Sequence, residues 1–274
     1  MTEDLKLSVI VPVYNERRTL PHILRLVILA LPGTVKQIIV VDDCSTDGSR
    51  EWLLRTFPQP EVQIVGIGRD GSGEPLFVHA DETASTGNRG DPELTEAPAG
   101  ETTIAVILHR ENAGKGRALR TGLQASTGNV VVIQDADLEY DPADWREMFG
   151  LIARGTADVV FGSRFYGRPH RSLYFHHYVG NRLISLIFNI LYNQILTDIE
   201  VCYKMFRREV LDGVSLTCSD FGFEIEFSAI VVKSRRWRIY EVGISYFGRT
   251  YEEGKKINWR DGLRALWYLV KYRF

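Results

Sequence analysis

The sequence predicts an α/β fold, a mostly parallel sheet flanked by helices. Two observations carry this. Short β-branched runs alternate with segments of helical apolar spacing through the first half of the chain. Those runs are apolar at every position rather than at every second one, as strands covered on both faces are. A third observation qualifies it. After about Arg164 the pattern becomes aromatic and basic, which predicts a C-terminal helical and strand extension.

The elements follow in order. Leu7–Val13 (LSVIVPV) reads as the first strand, and Leu20–Leu31 as a helix. Gln37–Val41 (QIIVV) is the next strand and Ser45–Phe57 the next helix. Glu61–Ile67, Thr103–Leu108, Val130–Gln134 and Ala157–Phe161 are further strands, with helices over Gly116–Ala125 and Pro142–Ala153. Beyond them come an apolar helix over Tyr178–Leu196, strands over Val201–Arg207 and Trp237–Phe247, and a basic, aromatic helix over Asn258–Phe274. Residues 68–100 are rich in Gly, Glu, Thr, Asp and Pro and nearly lack large apolar residues, which predicts a flexible surface insertion. Residues 1–274 are therefore expected to form one domain, with 165–274 as its later portion.

Composition narrows the function. Of 274 residues, 45% are hydrophobic and 25% charged, as in ordinary globular chains. A net charge of −2 gives no sign of a nucleic-acid partner. Cys44, Cys202 and Cys218 are odd in number and lack C-x-x-C spacing, so neither a disulfide framework nor a zinc site is expected. A reducing, cytoplasmic setting fits them. The first strand begins within a few residues, so no signal peptide is expected. No uninterrupted apolar run reaches the ~18–20 residues that span a bilayer.

In open parallel sheets, ligands bind beyond the carboxyl ends of the strands. Three polar motifs fall there: Pro12-Val13-Tyr14-Asn15-Glu16, Asp42-Asp43 with Cys44-Ser45-Thr46-Asp47-Gly48, and Asp135-Ala136-Asp137. In an extended segment residues two apart share a side, so Asp135, Asp137 and Glu139 would face one region if the chain stays extended. Clustered carboxylates repel, and a hard cation such as Mg²⁺ or Mn²⁺ would offset that. The same acids equally suit a solvated turn capping the helix near Pro142. Asn112-Ala113-Gly114-Lys115-Gly116 opens a helix whose N-terminus could meet an anion, but a cap with an exposed Lys explains it as well. No G-x-G-x-x-G follows the first strand, which speaks against a nicotinamide dehydrogenase. Arg249, Lys255 and Lys256 sit in a Gly-containing loop suited to phosphate or simply to solvent.

Together the stretches SVIVPVYNE, VVDDCSTDG, NAGKGRALRTG, VVIQDADLEYDP, DVVFGSRF, TDIEVCYKMFRREVL, FGFEIEF and GRTYEEGKKI resemble glycosyltransferase family 2, in its dolichol-phosphate mannosyltransferase-like branch. The resemblance implies a GT-A, Rossmann-like fold and an inverting, metal-dependent transfer. A hexose would move from GDP-mannose or UDP-glucose to a polyprenyl phosphate met at the membrane surface, making the protein peripheral at the inner face. It implies that Pro12, Tyr14 and Glu16 line the nucleotide pocket, that Asp43 with Asp42 contacts base or ribose, and that Asp135 and Ala136 border the nucleotide. Asp137 and Glu139 would serve Mg²⁺ or Mn²⁺ and the diphosphate. Arg164, Arg249 and Lys255 would face donor or acceptor phosphate, with Asp137, Arg249 and Lys255 carrying the chemistry. Two alternatives stay open: transfer to a saccharide hydroxyl, with Glu224 or Glu226 as base, and a non-catalytic nucleotide-sugar binding module.

Overall fold

The computed structural model describes residues 5–57, 62–65, 102–172, 174–250, 252–254 and 259–274. The expected insertion over 68–100 and the candidates Lys255 and Lys256 lie outside them. The chain divides into two compact units, Asp4–Leu138 and Glu139–Phe274.

In the first unit, strands and helices alternate: β1 (Lys6–Val13), α1 (Leu20–Leu29), β2 (Val35–Asp42), α2 (Ser49–Thr56), β3 (Val62–Val65), β4 (Thr102–His109), α3 (Lys115–Ala125) and β5 (Val130–Ile133). Its strands hydrogen-bond in the order β3-β4-β2-β1-β5, all parallel. Every side chain of β5, and Ile38 to Asp42 of β2, is buried, as their unbroken apolar runs require. Pro12 tolerates its place in the central strand for a local reason. The Ile10 carbonyl accepts from Gln134 N at 2.9 Å, so Pro12, two residues on, also turns its backbone toward β5. The β1–β5 pairing has already ended at Ile10 opposite Ile133, and no ladder partner is lost. The chain steps to one side of β1 to reach β2 and to the other to reach β5. The carboxyl ends of these three strands therefore flank a topological switch point.

Lys36 is buried at the end of α1, where its ammonium donates to the carbonyls of Ile28, at 2.6 Å, and Ala30. It supplies donors to helix-end carbonyls that would otherwise lack them. Burial pulls its pKa down to about 8.

The second unit contains α4 (Trp145–Ala153), β6 (Val159–Ser163), α5 (Phe175–Tyr192), β7 (Lys204–Arg207), α6 (Phe223–Ser234), β8 (Ile239–Gly243) and α7 (Trp259–Lys271). β6 pairs antiparallel with β7 and parallel with β8. Its core is aromatic: Phe206 and Phe161 lie 4.7 and 6.4 Å from Phe227, and Tyr203 stacks on Tyr140 at 4.9 Å. Helix α6 carries no amphipathic signature in the sequence because it is buried all round. Phe223 through Ala229 are buried, including Glu224 and Glu226. Glu224 pairs with the fully buried Lys204. Glu226 accepts from Thr217 N, Thr217 Oγ1 and Cys218 N at 2.8, 2.7 and 2.9 Å. Both acids expected as alternative bases are therefore committed inside the fold.

Candidate active site

In the first unit, the loops after β1 and β2 lock each other. Asn15, in the left-handed region at φ 54°, accepts from Thr46 N at 2.8 Å through its side chain. Its own amide donates to Ser45 Oγ at 2.9 Å. Arg17 N donates to Asp47 at 2.9 Å, and Glu16 N to Ser49 Oγ at 3.1 Å. The Glu16 carbonyl accepts from Leu20 N at 2.8 Å, starting α1, and Thr19 donates to the Glu16 carboxylate at 3.0 Å. Burial alone would raise the Asp47 carboxyl, but the hydrogen bonds from Ser49 and Arg17 outweigh it and hold it below its usual value. Tyr14 stands 39% exposed on this rim.

Asp42 and Asp43 diverge. Asp42 is fully buried and receives Arg50 Nε at 2.7 Å; Arg50 also reaches the His109 carbonyl. Asp43 receives His109 Nδ1 at 2.7 Å, Ala113 N at 3.0 Å and Gly114 N at 2.8 Å. The other nitrogen of His109 meets Thr121 Oγ1 at 3.0 Å, so both ring nitrogens are hydrogen-bonded and the ring is fixed between Asp43 and Thr121. The anion at the start of the NAGKG loop is thus a carboxylate of the chain itself. Gly114 takes φ 89°, a conformation glycine adopts without Cβ strain. Lys115 reaches Asp135 at 2.8 Å, both side chains partly open to solvent. His109 and Lys115 were legible only weakly: one ends an apolar strand, the other follows two small residues.

The acidic stretch does not stay extended. The chain leaves β5 at Ile133, turns through Ala136 and Asp137, and Leu138 takes φ 63°. Spacing by two therefore does not place Asp135, Asp137 and Glu139 on one side. Ala136 is buried and Asp137 half-buried. In the second unit, Glu139 accepts from Tyr246 OH and Arg249 N, each at 2.9 Å, and from Arg249 Nε at 3.4 Å. Its carbonyl accepts from Phe247 N at 2.9 Å. Arg171 ties the same loop through Gly248 O at 3.2 Å and Glu253 at 2.6 Å. Glu139 is thus the anchor of the GRTYEEGKKI loop as far as it is described.

Arg164 grips Asp198 through two 2.7 Å hydrogen bonds and lies 5.3 Å over the Tyr246 ring. Burial would depress its pKa, but Asp198 outweighs this and keeps the guanidinium charged. Glu200, two residues on, is half-buried and makes no hydrogen bond among the described residues. Burial pushes its carboxyl up to about 7, against the pull of Arg164. Asp198 and Glu200 went unassigned in the sequence, although TDIEVCYK contains both.

A hard divalent cation fits this donor set by chemistry, since the acids offer oxygen without His or Cys at the turn. Among the described residues no three acids, His or Cys converge as a cage. Mg²⁺ commonly uses one or two carboxylates and completes its shell with substrate phosphates and water.

The family model for Glycosyl transferase family 2 matches residues 8–65 and 88–214. A dolichol-phosphate mannosyltransferase of Pyrococcus furiosus is 26% identical over 98% of this chain and 64% of its own length. An undecaprenyl-phosphate 4-deoxy-4-formamido-L-arabinose transferase of Pectobacterium carotovorum is 31% identical over 58% of this chain and 37% of its own. The chain thus spans less than two thirds of the length of either relative. The glucosyl-3-phosphoglycerate synthase of Mycobacterium tuberculosis, solved with Mn²⁺, UDP and phosphoglyceric acid, superposes with a TM-score of 0.62 at 18% identity. That likeness covers 98% of this chain and 78% of the solved one, and it bears out the GT-A architecture. With its motifs, fold and more than half its length in agreement, the chain belongs to glycosyl transferase family 2.

Proposed function

We propose that the protein is an inverting, metal-dependent hexosyltransferase that uses a GDP- or UDP-sugar and a polyprenyl-phosphate acceptor. One observation carries the acceptor: the likeness to a dolichol-phosphate mannosyltransferase runs through 98% of this chain, including the Arg164–Asp198 and Glu139–Arg249 segments. Tyr14 and the rim of Pro12 and Glu16 hold the nucleoside. Asp43 supports it through the 112–115 loop, and Asp135 with Ala136 borders it. Asp137 and Glu139 hold Mg²⁺ or Mn²⁺, which supplies charge stabilisation to the diphosphate when bound. Arg249 and Lys255 add cationic donors to the phosphates as negative charge develops.

The acceptor phosphate oxygen attacks the anomeric carbon opposite the diphosphate. The carbon–oxygen bond to the diphosphate breaks, and its electron pair departs with the nucleoside diphosphate. A phosphate oxygen is already anionic near neutral pH, so no base is needed. Arg164, held by Asp198, orients the acceptor phosphate. The lipid is met at the cytoplasmic membrane surface by α5 and α7; no helix of the described residues is long and apolar enough to cross a bilayer.

A second reading, transfer to a hydroxyl, is favoured by Glu200. A carboxyl near 7 that makes no hydrogen bond among the described residues is suited to accept a proton. The test is transfer from GDP-mannose and UDP-glucose, with Mg²⁺ or Mn²⁺, to polyprenyl phosphate and to soluble sugars. Lipid-linked product is expected. Product only on soluble sugars supports the second reading, and no transfer under any combination overturns both.

A further inference from the structure

Helix α5 buries only Ile184, Ser185 and Phe188. Phe175, Val179, Leu183, Leu186 and Ile190 face solvent, spaced four, four, three and four apart, which is one continuous stripe. Helix α7 buries Ala265 and Leu269 and exposes Leu263, Trp267 and Val270 at spacings of four and three. The two helices are fastened together: Tyr192 OH donates to Leu269 O at 3.1 Å and Arg273 Nε to Leu191 O at 2.9 Å. Ile190 is 73% and Trp267 58% exposed, a large apolar surface for a folded chain to leave open.

Cations gather at the same end. Lys233 donates to the carbonyls of Tyr272 and Arg273 at 3.1 and 3.4 Å, which sets the end of α6 against the end of α7. Arg235 and Arg236 follow it, exposed. Lys271 lies 5.1 Å over the Trp267 ring, so charge and apolar stripe adjoin. No acidic residue occurs from Phe227 to Tyr240 or from Gly262 to Phe274, so this charge is uncompensated by either segment. Nearby Arg238 is excluded, since Asp158 holds it at 2.6 Å.

We propose that this corner of the second unit docks on an acidic phospholipid surface, the stripes of α5 and α7 entering the interface while Lys233, Arg235, Arg236, Lys271 and Arg273 select anionic headgroups. It rests on the lipid-acceptor reading above for its purpose, but the lipid class is set by this surface alone. Apolar side chains flanked by cations are the pattern of helices that lie in a charged interface. A nucleic-acid backbone would satisfy the cations and leave the stripes in water.

Co-sedimentation with vesicles tests it without donor, acceptor or metal, so its failure and failure of the transfer assay are separate results. Vesicles of phosphatidylcholine are compared with others holding about 30% phosphatidylglycerol, near physiological and at about 0.5 M salt, where exposed charges are screened. The protein is expected to bind the acidic vesicles at least about tenfold more tightly, with the preference lost at high salt. Arg235→Gln with Arg236→Gln weakens acidic-vesicle binding by roughly five-fold per cation and leaves neutral binding unchanged. Leu186→Ser with Ile190→Ser, both exposed, weakens binding to both. Equal affinity for the two vesicles, binding to neither, or displacement from acidic vesicles by a DNA duplex overturns the proposal.

Discussion

Asp42 and Asp43 leave β2 side by side, and burial separates them. Asp42 is sealed against Arg50, while Asp43 collects His109 and the amides of Ala113 and Gly114. Replacing Asp43 by Asn puts an NH₂ where three donors point at the carboxylate. A loss of about 1–3 kcal/mol is expected for leaving such groups badly paired, read by chemical denaturation. Weaker nucleotide binding accompanies it if the 112–115 loop supports the donor. Glu200 gives a pH-dependent prediction. Its folded value of about 7 lies above the ordinary 4.5, so the fold favours the protonated form. The contribution is fully present below about pH 4.5 and is lost as pH rises through 7. Glu200→Gln should therefore leave stability nearly unchanged at pH 5. At pH 8 it should raise stability by about 1–3 kcal/mol, the full linkage discounted for partial exposure. Paired denaturation curves at the two pH values decide it, and an equal effect at both would refute burial of the charge. Neither role was legible in sequence: a histidine ring and two backbone amides 66 to 71 residues away hold Asp43.

At the scale of elements, most strands and helices were legible because their apolar period is local. β1, β2, β4 and α3 begin and end within about two residues of the expected limits. α6 was not, since a helix buried on all sides has no polar face to set a period. Its N-terminus shows how tightly it is seated. A Cβ on Gly222 would fall 2.3 Å from the Tyr268 ring of α7, and Tyr268 OH already donates to Asp220 at 2.9 Å. Gly222→Ala should cost about 1–3 kcal/mol by overpacking and speed amide exchange in α7 ahead of the core strands. The 246–250 loop depends similarly on Glu139. Glu139→Ala removes the acceptor for Tyr246 and Arg249 and should increase exchange there, and Glu139→Gln should restore part of the protection.

For the whole molecule, the decisive measurement is stabilisation by GDP, UDP and their sugars with Mg²⁺ or Mn²⁺. A ligand bound only by the native state at about a hundred times its Kd adds about 2.7 kcal/mol, several degrees in Tm for a chain of this size. The metal-dependent part of that shift should vanish in Asp137→Ala while the metal-free melting curve stays put. A retained metal effect would remove Asp137 from the cation site. The sequence by itself determined the family, the parallel sheet and the edges at which polar motifs gather, because apolar period and motif order are properties of neighbouring residues. Only the tertiary structure decided what each polar group does. It turned the acidic stretch at Leu138, joined Glu139 to the Tyr246–Arg249 loop, committed Glu224 and Glu226 to the interior, and left Glu200 half-buried beside Arg164 and Asp198. The reason is physical: a carboxylate's role is set by the donors and water around it, and those come from segments far away in the chain.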